Sequence, residues 1–374
     1  MNEIFIALFD IALFIFVAEV IKSIFAKFKL PYIVGEIVAG MLVGPYSLGL
    51  LVNNIVGFPV IAISNYIVFM SEFSIILLIF ASGLEHGLTP IRSSGVYGVF
   101  GAISGALLPF LVSYFIYLPR FGTDSSLLIG VAMGATSLAA IASVIEEMRL
   151  KGRSVNYIFS ASTADDVVDL ILLSVALVVI GGNTLSVESV TLRVTQLVLI
   201  LIVVFVITIM LVPRFANKLG EKYVEEFPFV VLFGLTLIMV YLGFSPIISA
   251  FIAGVSLSTS VKSEKIREIS AVLLSVFGSI FFVTVGAETD LETLNLNVIM
   301  LSVELTVIAF AFKFLGVFPF ALAYTRDLRQ STLIGVGMVP RGETGLVVAS
   351  IGQSINAFSS TDFEGIVVMS LLHL

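Results

Sequence analysis

Apolar residues run along this chain in blocks of about twenty, separated by short breaks rich in Gly, Pro or charge, with no sustained alternation of period two. A bilayer core takes about 20 mostly apolar residues per helix. The blocks therefore predict thirteen spans, at 4–25, 31–50, 64–84, 95–118, 125–147, 155–180, 194–213, 227–243, 245–260, 269–287, 296–323, 331–352 and 359–374. The connections are short, and none reads as a soluble domain. The first block precedes the first positive charge, Lys22, whereas a secretory signal carries its positive charge ahead of the apolar run. It is read as a retained first span.

Composition narrows the class further. Of the 374 residues 59% are hydrophobic and 12% charged, against roughly 25% charged in soluble domains. The net charge of −7 offers no basic surface to nucleic acid. There are no Cys and only two His, which excludes thiol chemistry and disfavours a zinc centre. No cofactor is expected, and an enzyme is not.

The positive charges orient the spans. Fifteen of the nineteen Lys and Arg fall in loops after odd-numbered spans, and only Arg120 and Arg193 after even-numbered ones. By the positive-inside rule the N-terminus lies outside and the C-terminus in the cytoplasm. The chain is expected to be a multi-pass protein of the cell membrane.

The two halves echo one another. Span five contains Ser126-Leu-Leu-Ile-Gly-Val-Ala-Met133 and span twelve Ser331-Thr-Leu-Ile-Gly-Val-Gly-Met338. Pro31 followed by Ala39-Gly40 in span two matches Pro246 followed by Ala253-Gly254 in span nine. Partners seven spans apart insert in opposite directions, so spans 1–6 and 8–13 form an inverted repeat joined by span seven. Spans five and twelve then lose helix-forming character, at Gly134-Ala-Thr136-Ser137 and at Pro340-Arg-Gly342-Glu-Thr344-Gly345. Matched interruptions of this kind mark crossed, broken helices around a midplane site. The expected fold is an all-α polytopic membrane protein of about thirteen transmembrane helices, built as two inverted six-helix repeats.

Charge inside the apolar spans points to that site. An ionisable group at a helix centre costs roughly 2.5–3.5 kcal/mol on insertion scales, yet span six carries Thr163, Asp165, Asp166 and Asp169. Asp169 is four residues from Asp165 and three from Asp166 and can share a helix face with either, while Asp165 and Asp166 point about 100° apart. Lys313, deep in span eleven, is the expected charge partner. Arg341 and Glu343 at the break of span twelve are read as structural charges that neutralise half-helix ends. Lys313 is left open between a structural pair and a proton carrier. Asp10, Glu19, Glu36, Glu72 and Glu304 are expected at interfaces, with Glu36 and Glu72 the best placed to line a cavity.

An ordered set of motifs resembles the monovalent cation–proton antiporter family, in its second branch, with the NapA-type sodium–proton antiporters nearest in pattern. The set is Pro31-Tyr-Ile-Val-Gly35-Glu-Ile-Val-Ala-Gly40-Met-Leu-Val-Gly44-Pro45, Leu78 to Glu85, Asp165-Asp166, Ser245-Pro246 to Gly254, Phe281 to Gly286, and Pro340-Arg-Gly-Glu343. It spans the whole chain. Asp169 departs from the pattern, which has an apolar or small residue there. The resemblance implies a homodimer in a lipid bilayer. Residues 1–93 and 226–295 would form a dimerisation domain, 94–183 and 296–374 a transport core, and 184–225 a linking helix. It also implies an elevator-like exchange of Na+, with Li+ or K+ as other cargoes, for H+.

Cation and proton would compete at the Asp165/Asp166 pair. Na+ would sit at Asp166 with Asp165, aided by hydroxyls of Thr136 or Thr163. Asp169 is a further acid. Two alternatives stand beside this: a K+ efflux system, whose usual soluble regulatory domain this chain does not contain, and a Na+-coupled symporter for organic anions.

Overall fold

The computed structural model describes residues 3–28, 31–87, 91–137, 141, 145, 152–181, 187–290 and 294–373, and these are almost entirely helical. In chain order the helices are α1 (Glu3–Lys27), α2 (Tyr32–Val43), α3 (Leu48–Val56), α4 (Asn65–His86), α5 (Ile91–Gly134), α6 (Arg153–Gly181) and α7 (Val187–Lys218). They continue with α8 (Phe227–Tyr241), α9 (Pro246–Ser258), α10 (Ser263–Glu288), α11 (Leu296–Thr325), α12 (Leu328–Gly337), α13 (Glu343–Ser354) and α14 (Ser360–His373). Among the described residues seven helical stretches are long and apolar enough to cross a membrane by themselves.

The differences from the predicted spans are local and have causes. Span two is divided at Gly44-Pro45 into α2 and α3, because Pro45 cannot donate a backbone hydrogen bond. Spans four and five remain two helical limbs, numbered together as α5, because the backbone leaves helical geometry at Gly122 with φ 77°, a conformation open to Gly and costly for other residues. Beyond the bend the chain doubles back: Gly130 lies against Phe110 and Gly134 against Ala106. The two limbs are therefore antiparallel neighbours, as separate spans require. Two helix starts are capped by side chains. Ser245 precedes Pro246 at the head of α9, and Asn295 Oδ1 accepts from the backbone of Asn297 (2.9 Å) and Val298 (3.2 Å) to open α11.

The inverted repeat is written into backbone contacts. A methyl group at Gly40 in α2 would overlap the Val283 carbonyl of α10, and one at Gly254 in α9 would overlap the Phe80 carbonyl of α4. Conversely, Gly286 of α10 meets the Ile37 carbonyl, and Gly83 of α4 meets that of Phe251. Each pair maps onto the other when the halves are exchanged. Small residues let helix backbones touch in a bilayer, where burial in lipid supplies little net drive for association. The repeated glycines are what lock α2 to α10 and α9 to α4.

Two groups of helices result. In one, α4 packs on α9 and α10, and α2 on α1 and α10. In the other, α5 packs on α6, α11 and α13, and α14 on α11 and α13. The helix α7 lies on α9. Large apolar side chains such as Phe5, Phe16, Leu199, Leu237, Met300 and Val307 cover the outside, as a lipid-facing surface demands.

Candidate ion site

The site begins where two helices stop. α5 ends at Gly134, leaving Ala135, Thr136 and Ser137 without helical structure, and the chain is again non-helical between α12 and α13. The two breaks meet. Ser137 N–H donates to the Pro340 carbonyl at 2.7 Å, and Thr136 Oγ1 donates to the Met338 carbonyl at 3.2 Å. Ser162 of α6 adds a contact to Met338 Sδ at 3.2 Å. Each break thus satisfies backbone groups that a continuous helix would have paired internally.

The carbonyls at the end of α5's last limb carry the negative pole of that half-helix, and two buried cations take them. Lys313 Nζ donates to Gly134 O at 2.6 Å, and to Asp165 Oδ1 and Oδ2 at 2.7 and 2.6 Å. All three ammonium hydrogens are therefore used, and both side chains are wholly buried. Arg341 donates through Nη1 to Ala135 O and through Nη2 to Ala309 O at 3.3 Å. Its fork ties the break of the first repeat to α11. Arg341 and Glu343 are both read from the sequence as structural charges that neutralise half-helix ends, and Arg341 is found on such carbonyls. The side chain of Glu343 lies outside the described residues.

The three carboxylates of α6 are sorted by helical geometry. Asp165 and Asp169, four residues apart, both point inward and are buried, whereas Asp166 is half-buried on a neighbouring face. Among the described residues both oxygens of Asp169 lack a hydrogen-bond partner, and its carboxylate stands beside Gly134. Thr163 is buried with Oγ1 donating to the Phe159 carbonyl at 2.9 Å, one turn back on its own helix.

A cavity of about 310 Å³ opens elsewhere, between the two helix groups. It is lined by Ser71 and Glu72 of α4, Phe281 and Glu288 of α10, and Val347 and Ser350 of α13. None of the α6 carboxylates lines it. Glu72 was expected at a cavity and is there. Glu36 is instead buried, accepting from Ser279 Oγ at 2.7 Å, and Asp10 is buried rather than interfacial. Sequence reasoning passed over Glu288, whose only signal is an acid at the end of an apolar span, and the role of Gly134 O as a lysine acceptor.

Comparison with known proteins agrees with this architecture. A family model described as "Sodium/hydrogen exchanger, transmembrane" matches residues 12–374. The chain is 27% identical to a Na(+)/H(+) antiporter of Enterococcus hirae, over 96% of this chain and 93% of that one. It is also 27% identical to the Na(+)/H(+)-K(+) antiporter GerN of Bacillus cereus, over 97% and 92%. Among solved structures, the sodium proton antiporter MjNhaP1 of Methanocaldococcus jannaschii at pH 8 superposes with a TM-score of 0.77. It covers 99% of this chain and 94% of that one at 16% identity, a likeness of fold. With a family match along nearly its whole length and the crossed, broken helices that such a transporter needs, this chain belongs to the sodium/hydrogen exchanger family.

Proposed function

We propose that this protein exchanges Na+ for H+ across the cell membrane by alternating access, with Asp165 and Asp166 as the site where ion and proton compete. The observation that carries the reading is the wholly buried Lys313–Asp165 pair seated on the Gly134 carbonyl, with half-buried Asp166 beside it. A carboxylate held out of water needs a compensating positive charge or a proton. At Asp165 that charge is Lys313. At Asp166 a proton or a dehydrated sodium ion serves, and the two exclude each other. Oxygens of Thr136 and Thr163 complete a hard-cation shell together with water.

Residues 94–183 and 296–374 act as the moving core, against residues 1–93 and 226–295 as a fixed scaffold through which two protomers associate. Residues 184–225 link them. The cavity lies at that boundary, between α13 of the core and α4, α9 and α10 of the scaffold, where a sliding core would open and close an aqueous path. The N-terminus lies outside and the C-terminus in the cytoplasm. No covalent step or cofactor enters the cycle.

The test is Asp166→Asn in proteoliposomes carrying a pH-sensitive dye, challenged with Na+, Li+ and K+. Asn keeps the shape and one ligating oxygen but cannot carry a proton, so cation-driven proton movement should vanish while the protein remains folded. Wild-type exchange by this variant would overturn the reading. The K+ arm matters because one relative is named for K+ as well as Na+.

A further inference from the structure

Three arginines stand together at one end of the helix group built on α5, where α6 begins and α11 turns into α12. Arg153 lies with its guanidinium over the Tyr324 ring, 4.7 Å from the centroid. Its neighbour Ser154 donates through Oγ to Gln330 Oε1 at 3.2 Å, which brings the start of α6 against the start of α12. Arg326 follows Tyr324 by two residues and Arg329 adjoins Gln330, so the three cations share one small area. All three are exposed, and none has a carboxylate within ion-pair distance among the described residues.

The acid nearest to them in sequence, Asp327, is engaged on its own helix. Its Oδ1 accepts from the backbone N–H of Arg329 at 2.8 Å and of Gln330 at 3.2 Å, and its Oδ2 from the Gln330 amide at 3.3 Å. Residues 146–151 carry Glu146 and Glu147 against Arg149 and Lys151 and add no formal charge. The inverted repeat offers a comparison within the molecule. The corresponding turn of the first repeat, between the limbs of α5, carries Arg120 over the Phe121 ring at 4.9 Å. There the guanidinium meets a carboxylate, Glu304, at 3.4 Å. The second repeat keeps the arginine on its aromatic ring and leaves the anion to come from outside.

The surroundings select the anion. Tyr324 packs on Tyr157 at 5.1 Å and Tyr97 at 6.4 Å, and Phe100 stacks on Phe320 at 6.1 Å. Val96, Tyr97, Phe100 and Leu328 are exposed. Such aromatic residues collect at the membrane–water boundary, which puts the arginines at the depth of lipid headgroups. A guanidinium fork matches phosphate oxygens in pairs. A soluble anion gains nothing from exposed Val96 and Leu328, whereas a phospholipid meets the charge with its head and the apolar residues with its chains.

We propose that Arg153, Arg326 and Arg329 seat the phosphodiester of an anionic phospholipid, with its acyl chains against Val96, Phe100 and Leu328. By the charge bias of the loops this lipid belongs to the cytoplasmic leaflet. The seat goes beyond the exchange reading and does not depend on it. Each arginine beside an anionic headgroup is worth about fivefold in affinity.

The experiment titrates the delipidated, detergent-solubilised protein with phosphatidylglycerol or phosphatidylcholine in Na+-free buffer and follows the thermal midpoint. Wild type should bind phosphatidylglycerol the more tightly. Arg153→Gln, Arg326→Gln and Arg329→Gln should each weaken that binding about fivefold and leave phosphatidylcholine unaffected. Arg214→Gln, Lys218→Gln and Lys222→Gln remove exposed cations elsewhere on the same side and should change neither. No preference in wild type, or equal losses from the two sets, overturns the proposal. So does stabilisation by choline phosphate that the same arginine variants abolish, since the site would then serve a soluble anion. A second measurement keeps the arginines intact. The chain has no Trp, so Val96→Trp reports on the seat alone. In mixed vesicles with brominated chains carried by one lipid or the other at equal mole fraction, this Trp should be quenched more by the phosphatidylglycerol. Val230→Trp, exposed near the start of α8, should be quenched equally by both. Equal quenching at position 96 overturns the proposal.

Discussion

The ammonium of Lys313 lies 2.6 and 2.7 Å from the two carboxylate oxygens of Asp165, with no solvent reaching either side chain. Breaking a buried pair from one side leaves an uncompensated charge, which costs about 3–5 kcal/mol. Removing both charges can be near neutral. Lys313→Gln should therefore lower the thermal midpoint in detergent strongly, and Asp165→Asn combined with Lys313→Gln should recover most of the loss. A double variant no more stable than Lys313→Gln would show that the pair does not hold the core.

Arg341 is used as a fork rather than as a charge alone. Arg341→Lys keeps the cation but cannot span the Ala135 and Ala309 carbonyls. Losing one charge-assisted hydrogen bond costs about 1.5–3 kcal/mol. The expected result is a lowered thermal midpoint together with slower Na+-driven proton flux, since the break that Arg341 anchors frames the site.

The glycine contacts separate packing from mere helix propensity. Gly40→Ala and Gly254→Ala each drive a methyl into a facing carbonyl and should destabilise by about 1–3 kcal/mol. Gly234→Ala in α8 meets nothing within 4 Å and should be neutral or stabilise by about 0.5–1 kcal/mol. Size-exclusion profiles recorded after heating the detergent-solubilised protein read both directions. Equal behaviour of the three variants would contradict the paired close approach.

Topology is testable on a chain with no Cys of its own. Val261, 80% exposed just before α10, and exposed Asn297 near the start of α11 flank a helix of 26 residues, about 39 Å long at the helical rise. Val261→Cys should react with an impermeant maleimide only from the cytoplasmic side and Asn297→Cys only from outside. Labelling of both from one side would refute the orientation.

Much of the fold was legible because it is written in short-range terms. Twenty apolar residues in a row span a bilayer whatever their neighbours do, and Gly or Pro at matched places in two halves weakens a helix locally. Thus α4, α8, α9 and α11 fall within about two residues of their predicted spans. Span two was read as unbroken because Gly44-Pro45 lies so near its predicted end, where a stop and a kink look alike. The same limit applies to the bend at Gly122, where only the φ of 77° shows how the chain doubles back.

The sequence by itself determined that the chain crosses the membrane many times, that its halves are inverted copies, and that charge is concentrated in spans six, eleven and twelve. Those follow from hydropathy, periodicity and insertion cost, each a property of local composition. Only the tertiary structure decided who meets whom: that Lys313 seats on Asp165 and Gly134, that Arg341 reaches across to Ala135 and Ala309, that Glu36 turns to Ser279, and that Asp169 faces Gly134. These partners lie from 32 to 243 residues apart along the chain, or 35 in the case of Gly134 and Asp169. A low-dielectric interior selects among such pairings by distance and desolvation in three dimensions, and a one-dimensional pattern of charges carries neither.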